Sequence, residues 1–239
     1  MRIHKAPMER GEAHPPRRFG KTLILAGLLA AFIVTVIVTA LVVNQGKFAA
    51  DTVFMGDSLI ELWEFPAVNF GGYGNTTEQI RARFNEVTDA QFMRAVILGG
   101  TNDVLTGIAP ETTIGNLHEM IRIATSARLE TFVGTIPDIY VENGKYQAAV
   151  DGLNARIRTE IQNWNVGGTK VILLDFNRAL RGRRNAYSDD GLHLRRRGYL
   201  LMDIELLRSV NPFLWKSGHR FPDQITRDTC PCSVPSTSR

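Results

Sequence analysis

Ser58 lies in Gly56-Asp57-Ser58-Leu59, directly after an apolar run from Thr52 to Met55, so a strand delivers it into a turn that glycine permits. A hydroxyl so placed becomes a nucleophile only when a base and an oxyanion site converge on it. Of the five histidines, His193 is the best base, because Asp190 lies three residues before it and one loop can hold both groups. This set could carry out acyl transfer. His193 takes the Ser58 proton as the hydroxyl attacks an ester carbonyl, Asp190 fixes the imidazole tautomer, and His193 then protonates the leaving alcohol. Charge on the carbonyl oxygen needs preorganised donors. The candidates are the backbone N–H of Ser58, the backbone N–H of Gly74 and the side-chain amide of Asn102. The scheme calls for no metal and no organic cofactor.

The elements that would position these groups are legible as short β-rich runs: Thr52 to Met55, Ala67 to Phe70, Ala95 to Leu98, Thr131 to Thr135 and Val171 to Leu174. Between and after them, apolar residues recur at helical spacing: Ile80, Phe84 and Val87; Ile114, Leu117 and Ile121; Leu153, Ile157 and Ile161; and Leu201, Ile204 and Leu207. Parallel strands need crossover connections, so this alternation predicts an α/β fold, a three-layer α/β/α domain around a five-stranded parallel sheet. Ligands of such sheets bind beyond the carboxyl ends of the strands. Ser58, the Gly71 to Gly74 segment, the Gly99 to Asp103 segment and the Asp190 to His193 segment all fall there.

Four blocks now stand in order: Gly56-Asp57-Ser58-Leu59, Gly71-Gly72-Tyr73-Gly74-Asn75-Thr76, Gly100-Thr101-Asn102-Asp103 and Asp190-Gly191-Leu192-His193. In order and spacing they resemble the four sequence blocks of the SGNH (GDSL) hydrolase family. The resemblance covers most of residues 51 to 212. It implies a flavodoxin-like fold and an esterase-type mechanism, with the family's roles falling on Ser58, Gly74, Asn102, Asp190 and His193. Taken singly, each block also suits an ordinary turn or helix cap. Jointly they bring a nucleophile, a base, an orienting carboxylate and oxyanion donors to one rim, which structural roles alone do not require.

Residues 22–43 carry no charge, and that length exceeds the roughly 20 residues needed to cross a bilayer as a helix. Residues 1–21 hold Arg2, Lys5, Arg10, Arg17, Arg18 and Lys21 against Glu9 and Glu12. By the positive-inside bias this basic tail stays cytoplasmic, and the domain that follows the linker 44–50 lies outside the cytoplasm. The alternative is secretion after signal cleavage near Val38-Thr39-Ala40, although secretory apolar cores usually run about 7 to 15 residues. The anchor enters at the amino end of the first strand, so Ser58, at its carboxyl end, is expected to face away from the membrane. The basic tail accounts for the whole formal charge of +4. The rest of the chain, the linker 44–50, the hydrolase domain, 51–215, and the polar tail, 216–239, is neutral together and offers no footprint for nucleic acid.

The expectation is therefore a membrane-anchored serine esterase acting through an acyl-enzyme on an acyl-ester substrate, with short acyl groups on a polysaccharide as the leading class. Alternatives are an acyltransferase to a glycan, a thioesterase or lysophospholipase, and a non-catalytic glycan-binding protein. Arg178, Arg181, Arg183, Arg184, Arg195, Arg196 and Arg197 flank the Asp190–His193 loop, as an anion-attracting patch or a solvated surface. Trp63, Phe65 and Phe70 follow the nucleophile turn, as core or as pocket lining. His118 and His219 lack a carboxylate at the spacing of Asp190. Cys230 and Cys232 have no zinc-ligand spacing around them.

Overall fold

A computed structural model of the chain describes residues 46, 48–88 and 92–210, with residues 27–29, 31, 32 and 35 ahead of them. Two units divide at residue 50. In the first, the described positions are helical. Most of the expected membrane segment, 22–43, lies outside the described residues, as do the tail 216–239, His219, Cys230 and Cys232. Among the described residues no helix is long and apolar enough to cross a membrane.

The second unit holds five strands: β1 (Thr52–Gly56), β2 (Val68–Gly71), β3 (Arg94–Leu98), β4 (Glu130–Gly134) and β5 (Val171–Leu174). They form one sheet in the order β2-β1-β3-β4-β5, with every neighbouring pair parallel. Each expected strand is present, shifted by at most one residue at its ends. β1 and β3 read as near-continuous apolar runs because a central parallel strand is covered on both faces. Accordingly Val53, Phe54, Met55, Val96 and Ile97 are fully buried. β2, like β5, is a short edge strand, and Val68 and Asn69 are exposed on it.

The helices are α1 (Ser58–Glu61), α2 (Thr77–Ala82), α3 (Asn85–Thr88), α4 (Thr101–Thr106), α5 (Pro110–Ser126), α6 (Gln147–Val166), α7 (Phe176–Leu180) and α8 (Arg196–Val210). The strand order reverses after β2. Right-handed crossovers then put the β1-to-β2 connection on one face and the later connections on the other. The reversal opens a crevice at the carboxyl ends of β1 and β3, where ligands of such sheets bind. α1 and α4 begin there.

Three of the four helical stripes pack inward much as their spacing predicts, although Ile114 is half-buried. The fourth is corrected. α8 buries Gly198, Met202, Glu205 and Leu206, while Leu201, Ile204 and Leu207 are half-buried. Glu205 turns inward because its carboxylate accepts the Asp175 N–H (3.3 Å) at the start of α7 and lies 3.6 Å from the Arg178 guanidinium. An inward glutamate rotates the buried face by about one residue from the purely apolar one.

Candidate active site

β1 ends at Gly56, where a Cβ would collide with the Leu98 carbonyl and the Ile60 side chain. Glycine is needed here for close packing between β3 and α1, not for a special turn angle. Asp57 then caps α1, its Oδ1 accepting the Leu59 N–H at 3.0 Å. Ser58 is thereby the first residue of the helix, where a backbone N–H has no partner within the helix.

The opposing loop is built locally. Asp190 Oδ1 accepts the N–H groups of Leu192 (2.9 Å) and His193 (3.1 Å). A bridge between Tyr187 and Leu194 closes the loop at its base, and the Ser188 N–H donates to the His193 carbonyl at 2.8 Å. The chain after β4 supports it from below. The Tyr140 N–H donates to the Gly191 carbonyl at 2.8 Å, and the Tyr140 ring stands edge-on to Tyr187 at 4.9 Å.

The two sides meet in one line: Asp190 Oδ2 lies 2.6 Å from His193 Nδ1, and His193 Nε2 lies 3.0 Å from Ser58 Oγ. Burial raises the Asp190 carboxyl. The Leu192 N–H, the His193 ring and the His193 N–H outweigh that, and the carboxyl sits below its ordinary value. A carboxylate on Nδ1 fixes the proton there and leaves Nε2 to accept the serine proton. Asp57 is shifted the other way, to about 7. Complete burial is the main cause, opposed by the Leu59 N–H. Thr101 also favours its carboxylate, although Asp57 Oδ2 and the Thr101 hydroxyl are both buried without a hydrogen bond among the described residues.

Gly74 has φ +71°, and open space lies where its Cβ would stand. The backbone conformation therefore calls for glycine. Among the described residues neither the Gly74 N–H nor the Ser58 N–H donates to a backbone acceptor. Asn102 Nδ2 donates to the Asn75 carbonyl at 2.9 Å, which leaves its second amide hydrogen for another acceptor.

Several residues at the site carried no role in the sequence reading. Arg83 donates through Nη2 to the Gly56 carbonyl and through Nε to Asn75 Oδ1, both at 3.1 Å, and so ties the end of β1 to the glycine-rich loop. Asp103 is buried and accepts the Thr77 N–H (2.8 Å), the Thr77 hydroxyl and the Thr113 hydroxyl (2.9 Å). It thus locks the starts of α2 and α4 together beneath Asn102. Tyr73 is exposed, with its ring stacked on His193 at 5.4 Å between centroids. Only Tyr73 had a local signal, an aromatic side chain set among glycines.

The weaker candidates resolve mostly as structure. Trp63 and Phe65 are core, packed with Phe54, and Trp63 Nε1 donates to Asp203 at 2.7 Å. Phe70 is half-buried. Arg178, Arg181, Arg184 and Arg195 engage Glu205, Asp151, the Ser188 carbonyl and the Tyr187 carbonyl respectively, so most of the basic patch braces loops. Arg183, Arg196 and Arg197 are exposed. His118 stacks on Trp164 at 5.2 Å. Among the described residues no cluster of three or more His, Cys, Asp or Glu side chains is spaced to hold a metal ion.

Comparison with known proteins speaks to the family and the fold. The model of the GDSL-like Lipase/Acylhydrolase family matches residues 43–201. Among solved structures, a GDSL-like lipase from Bacteroides thetaiotaomicron VPI-5482 is 22% identical with a TM-score of 0.59, covering 70% of this chain and 90% of its own. The lipase/acylhydrolase from Enterococcus faecalis is 23% identical with a TM-score of 0.57, covering 67% and 95%. A member of the lipolytic protein G-D-S-L family from Veillonella parvula DSM 2008 is 17% identical with a TM-score of 0.57, covering 66% and 96%. At these identities the structural likeness speaks for the fold. No curated protein matches the chain by sequence. The family match spans well over half of the chain, which therefore belongs to the GDSL-like lipase/acylhydrolase family and is an ester-hydrolysing serine hydrolase.

Proposed function

We propose that this hydrolase cleaves carboxylic esters through an acyl-enzyme on Ser58, with His193 as general base and acid and Asp190 as its orienting carboxylate. The observation that carries this is the continuous line from Asp190 Oδ2 through His193 to Ser58 Oγ, with contacts of 2.6 and 3.0 Å. The Ser58 proton passes to Nε2 as Oγ bonds to the carbonyl carbon. The oxyanion is received by the N–H groups of Ser58 and Gly74 and by the free amide hydrogen of Asn102. Collapse breaks the bond to the alcohol, which takes the proton back from Nε2. Water then enters by the same route and releases the acid.

The site works in a domain held to a membrane by residues 22–43 and lying outside the cytoplasm. The uncharged stretch and the basic residues before it support this, as do Leu28, Leu29 and Phe32, helical positions whose apolar side chains are exposed. The preferred substrate is a short acyl ester on a surface polysaccharide. The test is fluorophosphonate labelling and ester hydrolysis by full-length protein in carbonate-washed membranes. A labelled band in the membrane pellet is expected, with kcat falling about 10^6-fold in Ser58→Ala. Full activity in Ser58→Ala would sink the nucleophile assignment, and labelled protein only in the supernatant would sink the anchor.

A further inference from the structure

Tyr73 is the exposed side chain that the site's chemistry leaves without a task. Its ring lies 5.4 Å from the His193 imidazole, 22° from parallel, and the residue is 69% exposed. Large aromatic side chains bury most of their surface when the fold lets them. This one is held out by its backbone. It sits in a turn closed by the Asn75 N–H on the Gly72 carbonyl (3.1 Å), whose third residue is Gly74 at φ +71°. Both ends of the turn are tied down. The Gly72 N–H donates to the Gly56 carbonyl at 3.0 Å, and Asn75 is gripped by Arg83 and Asn102 at 3.1 and 2.9 Å. A fixed turn therefore presents an exposed ring beside the proton-carrying histidine.

We propose that Tyr73 determines specificity for the alcohol half of the substrate, and that this alcohol is a sugar ring. The inference rests on the reading of Ser58 and His193 given above. The leaving oxygen must lie against His193 Nε2 to be protonated, so whatever that oxygen is attached to extends over the neighbourhood of the imidazole. Tyr73 forms that neighbourhood. Its ring offers an apolar face to the C–H face of a pyranose, and its hydroxyl, without a hydrogen bond among the described residues, can serve the sugar's hydroxyl groups. A small alkyl alcohol reaches neither, and an aryl alcohol uses only the face.

The experiment compares full-length wild type with Tyr73→Ala, Tyr73→Phe and Tyr73→Trp on three acetates: an O-acetylated methyl pyranoside, phenyl acetate and ethyl acetate. The readout is each variant's ratio of kcat/KM on the pyranoside to kcat/KM on ethyl acetate. That ratio is expected to fall about tenfold in Tyr73→Ala, mainly through KM, and less in Tyr73→Phe and Tyr73→Trp, which keep a ring. An unchanged ratio in Tyr73→Ala, whatever the absolute rates, overturns the proposal, because a residue that only steadies His193 affects all esters alike. A fall seen with phenyl acetate and absent from the pyranoside overturns the sugar assignment. Failure of wild type to hydrolyse any of the three, with no fluorophosphonate labelling, marks failure of the underlying esterase reading and takes this inference with it.

Discussion

Asp57 and Asp190 stand on opposite sides of the Ser58–His193 pair and are shifted in opposite directions. Asp57 is wholly buried and accepts a single backbone N–H, and burial pushes its carboxyl up to about 7. The Asp190 side chain is 48% exposed, yet its carboxyl is held below the ordinary value by two backbone N–H groups and the His193 ring. Burial is the largest single influence on Asp190 too and raises it, but three donors together outweigh it in favour of the charge. The difference separates two tasks. The charge that serves an imidazolium is kept where water and backbone donors support it. The carboxyl that caps the nucleophile's helix is a shape, needed for its oxygen more than for its charge.

That division breaks first, and hardest, at Asp190. Asp190→Asn keeps the loop's size but presents an amide to Nδ1, which favours the wrong imidazole tautomer. A fall in kcat of about 10^4-fold is expected from steady-state ester hydrolysis. A loss under tenfold would mean that the exposed carboxylate is as dispensable as its position on the surface suggests, and the contrast with Asp57 would collapse.

The next effect is on stability. For Asp57 the folded value, about 7, lies above the value of about 3.9 expected unfolded. The stability tied to it is therefore complete below about pH 4 and is lost as pH rises through 7, by an amount on the order of a few kcal/mol. Asp190, with its folded value lowered, contributes with the opposite sign: its stability is present at neutral pH and lost as pH falls through its folded value. Thermal melts between pH 4 and 8 should show a decline from about pH 4 to about pH 7 in wild type and its loss in Asp57→Asn, which retains the capping oxygen. A wild-type melting temperature that rises steadily from pH 5 to 8 would contradict the protonated, buried Asp57.

The same two sides differ in what their sequence discloses. Ser58, Asn102, Asp190 and His193 are legible because the chemistry demands those residue types, and the apolar runs before Ser58 and Asn102 mark strand ends. The sheet is legible because central parallel strands are apolar on both faces, as Val53 to Met55 and Ala95 to Leu98 are. Legibility fails where a residue's role is set by a partner far along the chain. Trp63 and Phe65 follow the nucleophile closely and yet turn into the core, because Phe54 and Asp203 receive them. The α8 face is displaced because Glu205 answers a helix start thirty residues away. Arg83 reads as one more surface cation on a helix, and its bond to the Gly56 carbonyl spans 27 residues.

Arg83 also gives the smallest test of the contrast. Arg83 braces the nucleophile side across 27 residues, whereas Asp190 and His193 are joined within one loop, so removing the Arg83 brace should loosen the oxyanion donors and leave the Asp190–His193 pair intact. Arg83→Gln forfeits the charged donor to Gly56 while keeping an amide within reach of Asn75. The expected result is a kcat lower by about tenfold, with KM and the acid limb of the pH–rate profile unchanged, since neither binding surface nor base is touched. Arg83→Lys, a point charge without the planar fork, should recover only part of this, because it cannot span the Gly56 carbonyl and the Asn75 side chain at once. If Arg83→Gln shifted the pH profile instead, the brace would reach across to His193, and the two sides of the site would be one mechanical unit.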